Sequence, residues 1–166
     1  MYKRQGWRFR NENILLNLNS YFMLYDEQLV LTGEIDDVGN PKRTNSGSSS
    51  RIGLEIENSI KLSELFSVQT NITLSSNKNK NIFSMVDGAL YNYGKTNISF
   101  SPSFIGSNSI NYKYSENLNF TFLSKYVGKQ YMSNTDQPNS ILDSYFVNDL
   151  SISYLLQPNK KLASIF

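Results

Sequence analysis

Glu34, Asp36 and Asp37 lie within one short polar segment, and Lys42 and Arg43 follow them closely. Clustered carboxylate oxygens are what a hard cation such as calcium selects, so the segment reads as a loop that contacts an ion or ligand. The ligand spacing of a defined calcium site is missing, and a solvated loop accounts for the same residues. A second set of charges, Arg51, Glu55, Glu57, Lys125 and Asp149, falls at polar positions of alternating segments, with Lys129 nearby. Charges so placed line a substrate path or pair with neighbouring elements. His and Cys are both 0, which removes the commonest general base, disulfides and Cys-based metal sites. No nucleophile–base pair, phosphate loop or metal-ligand spacing is present, so neither an enzyme nor a bound cofactor is expected. The net charge is +2 with the charges scattered, and nothing points to nucleic acid.

What positions these residues is a repeated rhythm. Ile52, Leu54 and Ile56 alternate with Gly53, Glu55 and Glu57, and Phe66, Val68, Ile72 and Leu74 alternate with polar neighbours. Alternation at period two means strands with one apolar and one polar face. The segments read as strands are 14–25 (extended by 29–31), 50–60, 66–76, 102–114, 118–131, 144–156 and a partial one from Leu162 to Phe166. Short turns are expected near Ser63, Ser115 and Pro158. Long connections are expected near Asn40, Asn81 and Asn134, where Thr32–Ser49, Asn77–Gly94 and Ser133–Leu142 are rich in Gly, Asn, Lys and Ser. Most of these strands run to about 11–14 residues, where a tilted membrane strand needs ~9–11 and soluble strands average ~5–6.

Tight turns on one side and long connections on the other are how outer-membrane β-barrels are built. The hydrophobic fraction of 39% gives no warning of a membrane, because a barrel hides its lipid face in every second residue. Leu54, Ile56, Val68, Ile72, Phe120, Phe122, Leu150 and Ile152 are the expected lipid-facing residues. Arg51, Glu55, Glu57, Lys125 and Asp149 are expected to face the lumen. Tyr112, Tyr114 and Tyr154 on the short-turn side, and Tyr21, Tyr25, Tyr126 and Tyr131 on the other, suggest two interfacial aromatic bands. Gly53 and Gly128 suggest a bend or close backbone approach. Three Asn-X-Ser/Thr sequences, at Asn71, Asn97 and Asn119, carry no meaning in a bacterial barrel.

Five stretches resemble the C-terminal part of the barrel of TonB-dependent outer-membrane receptors. They are DEQLVLTGEIDDVGNPKRTN (26–45), SRIGLEIE (50–57), SFSPSFIGSNSINY (99–112), LSKYVGKQYMSNT (123–135) and SYFVNDLSISY (144–154), in the family's order and spacing. The resemblance implies an all-β fold, with residues 1–166 forming about eight strands of an antiparallel barrel of roughly 22. It also implies a plug domain, terminal strands and an energy-transducing partner segment, none of them in this stretch. Met1–Gly6 lacks the apolar core of a secretory signal, which suits a piece of a longer exported chain. The implied location is the bacterial outer membrane. The implied partners are lipid, the plug, the TonB-type complex and a small ligand such as an iron-siderophore or corrinoid. A glycan-importing relative, a passive adhesin barrel and a soluble β-module for an apolar ligand are the alternatives.

Overall fold

A computed structural model describes residues 1–27, 29–45, 47–86 and 89–156. Alternating segments rich in Ile, Leu, Phe and Tyr adopt extended backbone because such side chains fit a pleated, half-covered surface. The strands are β1 (Tyr2–Arg10), β2 (Ile14–Asp26), β3 (Leu29–Ile35), β4 (Pro41–Asn45), β5 (Ser48–Lys61), β6 (Phe66–Val86) and β7 (Ala89–Asn97). They continue with β8 (Phe104–Lys113), β9 (Leu118–Val127), β10 (Gln130–Tyr131), β11 (Ile141–Leu142) and β12 (Tyr145–Tyr154). One antiparallel sheet runs in the order β1-β2-β5-β6-β8-β9-β12, with β7 on the far end of β6; β3–β4 and β10–β11 are separate pairs. Among the described residues no helix is long and apolar enough to cross a membrane.

The registers sort the side chains cleanly. Ile56 pairs with Ile72, Val68 with Ile110, and Phe122 with both Ile110 and Leu150. Following such pairs across the sheet puts Leu54, Ile56, Val68, Ile72, Phe120, Phe122, Leu150 and Ile152 on one face. Arg51, Glu55, Glu57, Lys125 and Asp149 fall on the other. Among the described residues no second layer covers the apolar face. Among the described residues the only buried apolar side chains are Ile82, Ile98 and Val127, while Leu150 and Ile152 are 66% and 59% exposed.

The aromatic residues form two clusters on the apolar face. Phe66, Tyr112 and Phe120 stack near the short turns, with centroids 4.4 and 6.1 Å apart, and Phe104 meets Tyr126 at 5.7 Å toward the other end. Tyr21 and Tyr25 do not join the second cluster. Their partners are Gly53 and Ser49, which places them on the polar face. Tyr131 lies in β10, off the main sheet.

The ends differ from the sequence reading. β1 is a full strand at the sheet edge, where no strand was expected; only Trp7 and Phe9 on its apolar face interrupt a charged run. The expected long connections at 32–49 and 77–94 are hairpins, β3–β4 and the outer half of β6 with β7. Their Asn, Lys and Ser residues lack alternation because both faces of a projecting hairpin are wet, so period two had nothing to report. The strand expected to reach Tyr131 stops at Val127, one residue after which the Gly128 N–H makes a last in-register bond to the Phe104 carbonyl (2.8 Å). The expected turn near Pro158 and the strand from Leu162 lie outside the described residues.

The short turns share one construction. Asn11 Oδ1 accepts from the N–H groups of Asn13 and Ile14, Ser63 Oγ from Leu65 and Phe66, and Ser115 Oγ from Asn117 and Leu118. Each side chain thus satisfies two backbone donors that the strand ladder leaves open. Replacing Ser63 or Ser115 by Ala is expected to cost about 0.5–1.5 kcal/mol each. Asn at either position, doing what Asn11 does, is expected to restore most of it. Reversible unfolding in lipid checks both.

Candidate functional site

Two places hold side chains organised for more than strand pairing: the polar face near β1, β2 and β5, and the polar core under the long connections. On the polar face Gly6 lies opposite Asn19, and Gly53 opposite Tyr21. A Cβ on Gly53 would stand 2.4 Å from the Tyr21 ring, and one on Gly6 would stand 2.6 Å from Asn19 Oδ1. The glycines let their neighbours lie flat on the sheet, so the close approach expected at Gly53 is present. Arg4 reaches across β2 to Glu55 (2.9 Å), with the side chains 51% and 35% exposed. At that exposure the pair adds little stability and acts mainly to hold the two side chains in place. Beside it, Arg8 Nε donates to Asn17 Oδ1 (2.7 Å), and Asn17 Nδ2 donates to Glu57 Oε2 (3.2 Å).

Arg51 stands 5.3 Å from the Tyr25 ring centroid, and its buried Nε has no hydrogen-bond partner. It shares a shallow depression with Tyr2, Arg4, Tyr21, Met23, Glu55 and Asn77. The structure therefore gathers Arg51, Glu55 and Glu57 along β5 and supplies Arg4 and Arg8, which the sequence did not flag. Lys125 lies on β9, in the cross-strand row that also carries Glu57, and Asp149 is on β12. Neither reaches the cluster on β5.

The residues of the first acidic segment go elsewhere. Asp36, Asp37, Lys42 and Arg43 belong to the β3–β4 hairpin; the Glu34 side chain lies outside the described residues. Asp36 Oδ1 accepts from the N–H groups of Asn40 and Val38, and Oδ2 accepts from the Asn40 side chain. These donors, Asn40 foremost, hold its carboxyl below the usual range. Its contribution to the hairpin is present above the ordinary Asp titration and is lost as pH falls through the lowered value. Asp36 is thus a turn residue. Among the described residues no three His, Cys, Asp or Glu side chains converge as a metal site would require.

The most enclosed polar cluster lies under the long connections. Asn79 is 1% exposed, Thr96 3% and Asn134 6%. Asn79 Nδ2 donates to Thr96 Oγ1, to the Asn97 carbonyl and to Asn134 Oδ1, at 3.2–3.3 Å. Asn134 Oδ1 also accepts from the Ser99 N–H (2.9 Å). Asp136 accepts from both the backbone and the side chain of Asn97, whose own Oδ1 accepts from Lys78. Asn79 pairs with Ser49 on the polar side of the sheet, so the 128–144 segment folds over that face and seals it against the β6–β7 hairpin. Nothing in the order or spacing of these residues marks the network. Its members are spread from Lys78 to Asp136 and resemble any polar loop residues.

An open antiparallel sheet with one apolar face, short turns at one end and hairpins at the other defines a piece of β-barrel wall. The family described as TonB dependent receptor-like, beta-barrel matches residues 5–165, and the chain belongs to it. The siderophore receptor PiuA from Acinetobacter baumannii aligns at a TM-score of 0.69 and 19% identity, over 93% of this chain and 21% of its own. The ferric yersiniabactin uptake receptor FyuA from Yersinia pestis gives 0.69 at 16% identity, over 92% and 22%. A copper transporter, OprC, gives 0.70 at 14% identity, over 95% and 23%. The chain thus spans about a fifth to a quarter of these solved proteins, and at such identities the likeness is one of fold. These neighbours are receptors and transporters, not enzymes. No curated protein matches the sequence.

The polar core yields a prediction. Asn134→Ala with Asp136→Ala is expected to raise amide exchange at Asn97 and Ser99 by roughly tenfold or more, for loss of about one to two kcal/mol of protection. Exchange at mid-strand Ile72 should not change. Hydrogen-exchange mass spectrometry measures both.

Proposed function

We propose that this chain is a wall segment of an outer-membrane receptor that imports a scarce metal chelate. The observation that carries the reading is the family match over 5–165 on a sheet whose apolar face has no cover among the described residues. In this reading Leu54, Ile56, Val68, Ile72, Phe120, Phe122, Leu150 and Ile152 lie against lipid, and the two aromatic clusters sit at its two interfaces. Arg51, Glu55, Glu57, Lys125 and Asp149 face a lumen occupied by the receptor's own plug domain. The short turns face the periplasm.

Each part of the segment then has a task. The strands supply a hydrogen-bonded wall that hydrocarbon tolerates. The β3–β4 hairpin, with Asp36, Asp37, Lys42 and Arg43, and the sealed β6–β7 unit form part of the outer mouth that meets the ligand. The outer membrane holds no ATP, so uptake draws on an inner-membrane complex of the TonB type acting through the plug. Siderophore receptors and a copper transporter among the structural neighbours favour a chelated metal ion as cargo. A corrinoid belongs to the same chemical class.

The test is uptake by cells carrying the full-length receptor, with radiolabelled ferric catecholate, ferric hydroxamate, copper chelate and cobalamin as probes. At least one is expected to accumulate, and a protonophore should abolish that accumulation. Equal uptake of all four with and without the protonophore would mark a passive pore and overturn the reading.

A further inference from the structure

One row of the apolar face is not apolar. Following the registers across five adjacent strands, Asn58 on β5 pairs with Thr70 on β6, Thr70 with Asn108 on β8, Asn108 with Ser124 on β9, and Ser124 with Asn148 on β12. The rows on either side are Ile60, Val68, Ile110, Phe122 and Leu150, and Ile56, Ile72, Gly106, Tyr126 and Phe146. The polar row therefore lies between the two aromatic clusters, within the part of the face assigned above to lipid. Polar side chains there are costly unless they bond to one another.

They bond selectively. Thr70 Oγ1 donates to Asn108 Oδ1 (3.0 Å), joining β6 to β8, and Ser124 Oγ donates to Asn148 Oδ1 (2.7 Å), joining β9 to β12. Elsewhere on this face Lys78 on β6 donates to Asn97 on β7, beyond the second aromatic cluster; within the row the cross-strand side-chain bonds among the described residues are these two. Both fall on strand pairs with long connections. The β6–β8 connection carries the β7 hairpin, and the β9–β12 connection runs through the 128–144 segment. Among the described residues the short-turn pairs β5–β6 and β8–β9 show no such bond within this row. The third long-connected pair, β2–β5, has Leu16 opposite Asn58, and its bond is on the other face, from Asn17 to Glu57 (3.2 Å).

We propose that this row is a register mark for strands whose connections are too long to set their pairing. A tight turn fixes register by its length, whereas a long connection closes at nearly the same entropic cost for several registers. A slip by one residue turns every apolar side chain to the lumen and is excluded by pattern. A slip by two keeps the faces and exchanges one Ile, Leu, Val or Phe row for another. The polar face offers no better discrimination, since Ser, Asn and Thr recur along it. The polar row does discriminate. A two-residue slip sets Asn108 against Val68 or Ile72, or Asn148 against Phe122 or Tyr126, and leaves their amides unpaired in hydrocarbon, which costs more than the bond itself is worth. The size of that penalty rests on the facing assignment under Proposed function; the selective placement of the bonds does not.

The test reads register by disulfide trapping in the full-length receptor, folded in cells; this segment brings no cysteine of its own. Cys at positions 69 and 109 reports the native pairing, and Cys at 69 with 107 or 111 reports the two slips. Directly opposed residues are within disulfide reach and diagonal ones are not. In the parent, only the 69–109 pair is expected to close. With Thr70→Val and Asn108→Leu, the slipped pairs should rise from undetectable to about a tenth or more of trapped protein, as loss of a bond worth about fivefold to tenfold implies. Thr70→Val alone, a nearly isosteric change, should give a smaller rise. Thr73→Val, off the row on the same strand, should give none. Native trapping alone in both row variants, whether folded yield is unchanged or reduced, would overturn the proposal. Trapping reports pairing whichever face meets lipid, so failure of the facing assignment is scored separately, by accessibility of Leu150 and Asp149 to lipid-soluble and water-soluble probes.

Discussion

Everything in this sheet follows from an apolar face that the described residues leave uncovered. A sheet with one apolar face must bury it against another layer, against itself or in lipid. The described residues offer no second layer, and the strands form an open arc with β1 and β12 each paired on one side. Hydrocarbon accepts such a face only if the backbone groups behind it are bonded within the protein. That condition explains the unbroken antiparallel ladders from β1 to β12. It also explains why irregular backbone is confined to the turns and the long connections.

The same constraint divides the labour of the side chains. Ile, Leu, Val and Phe recur in row after row of the apolar face, so they carry little pairing information. Specific contacts are instead made by polar groups: the turn acceptors Asn11, Ser63 and Ser115, the Arg4–Glu55 and Arg8–Asn17–Glu57 links, and the bonds of Thr70 and Ser124. The buried core is displaced to the mouth, where Asn79, Thr96 and Asn134 are enclosed and Ile82 and Ile98 pack. There water returns as the solvent, and a loop can be folded by ordinary means.

Period two made the strands of the main sheet legible. β5, the inner half of β6, β8, β9 and β12 stand where alternation put them, and all thirteen residues sorted by alternation to one face or the other share those faces in the registers. Alternation fell silent where both faces meet water. The β3–β4 and β6–β7 hairpins looked like coil for that reason, and β1 was hidden by its charges. Tyr21 and Tyr25 were placed in an aromatic band by their height along the strand, although parity put them on the polar side. The Asn79–Asn134 contact spans 55 positions, and nothing local to either residue marks it. Neither did the sequence show that Asn148, an exception on its own strand, belongs to a row four strands wider.

The central claim is that one face meets lipid and the other does not. Nitroxide labels at consecutive positions 149–152 of β12, in the full-length receptor in bilayers, test it most directly. The account predicts that positions 150 and 152 are relaxed strongly by oxygen and weakly by a water-soluble nickel chelate. Positions 149 and 151 should show the reverse ratio, giving a period of two in phase with the registers. Equal nickel accessibility at all four positions, or the opposite phase, would contradict it.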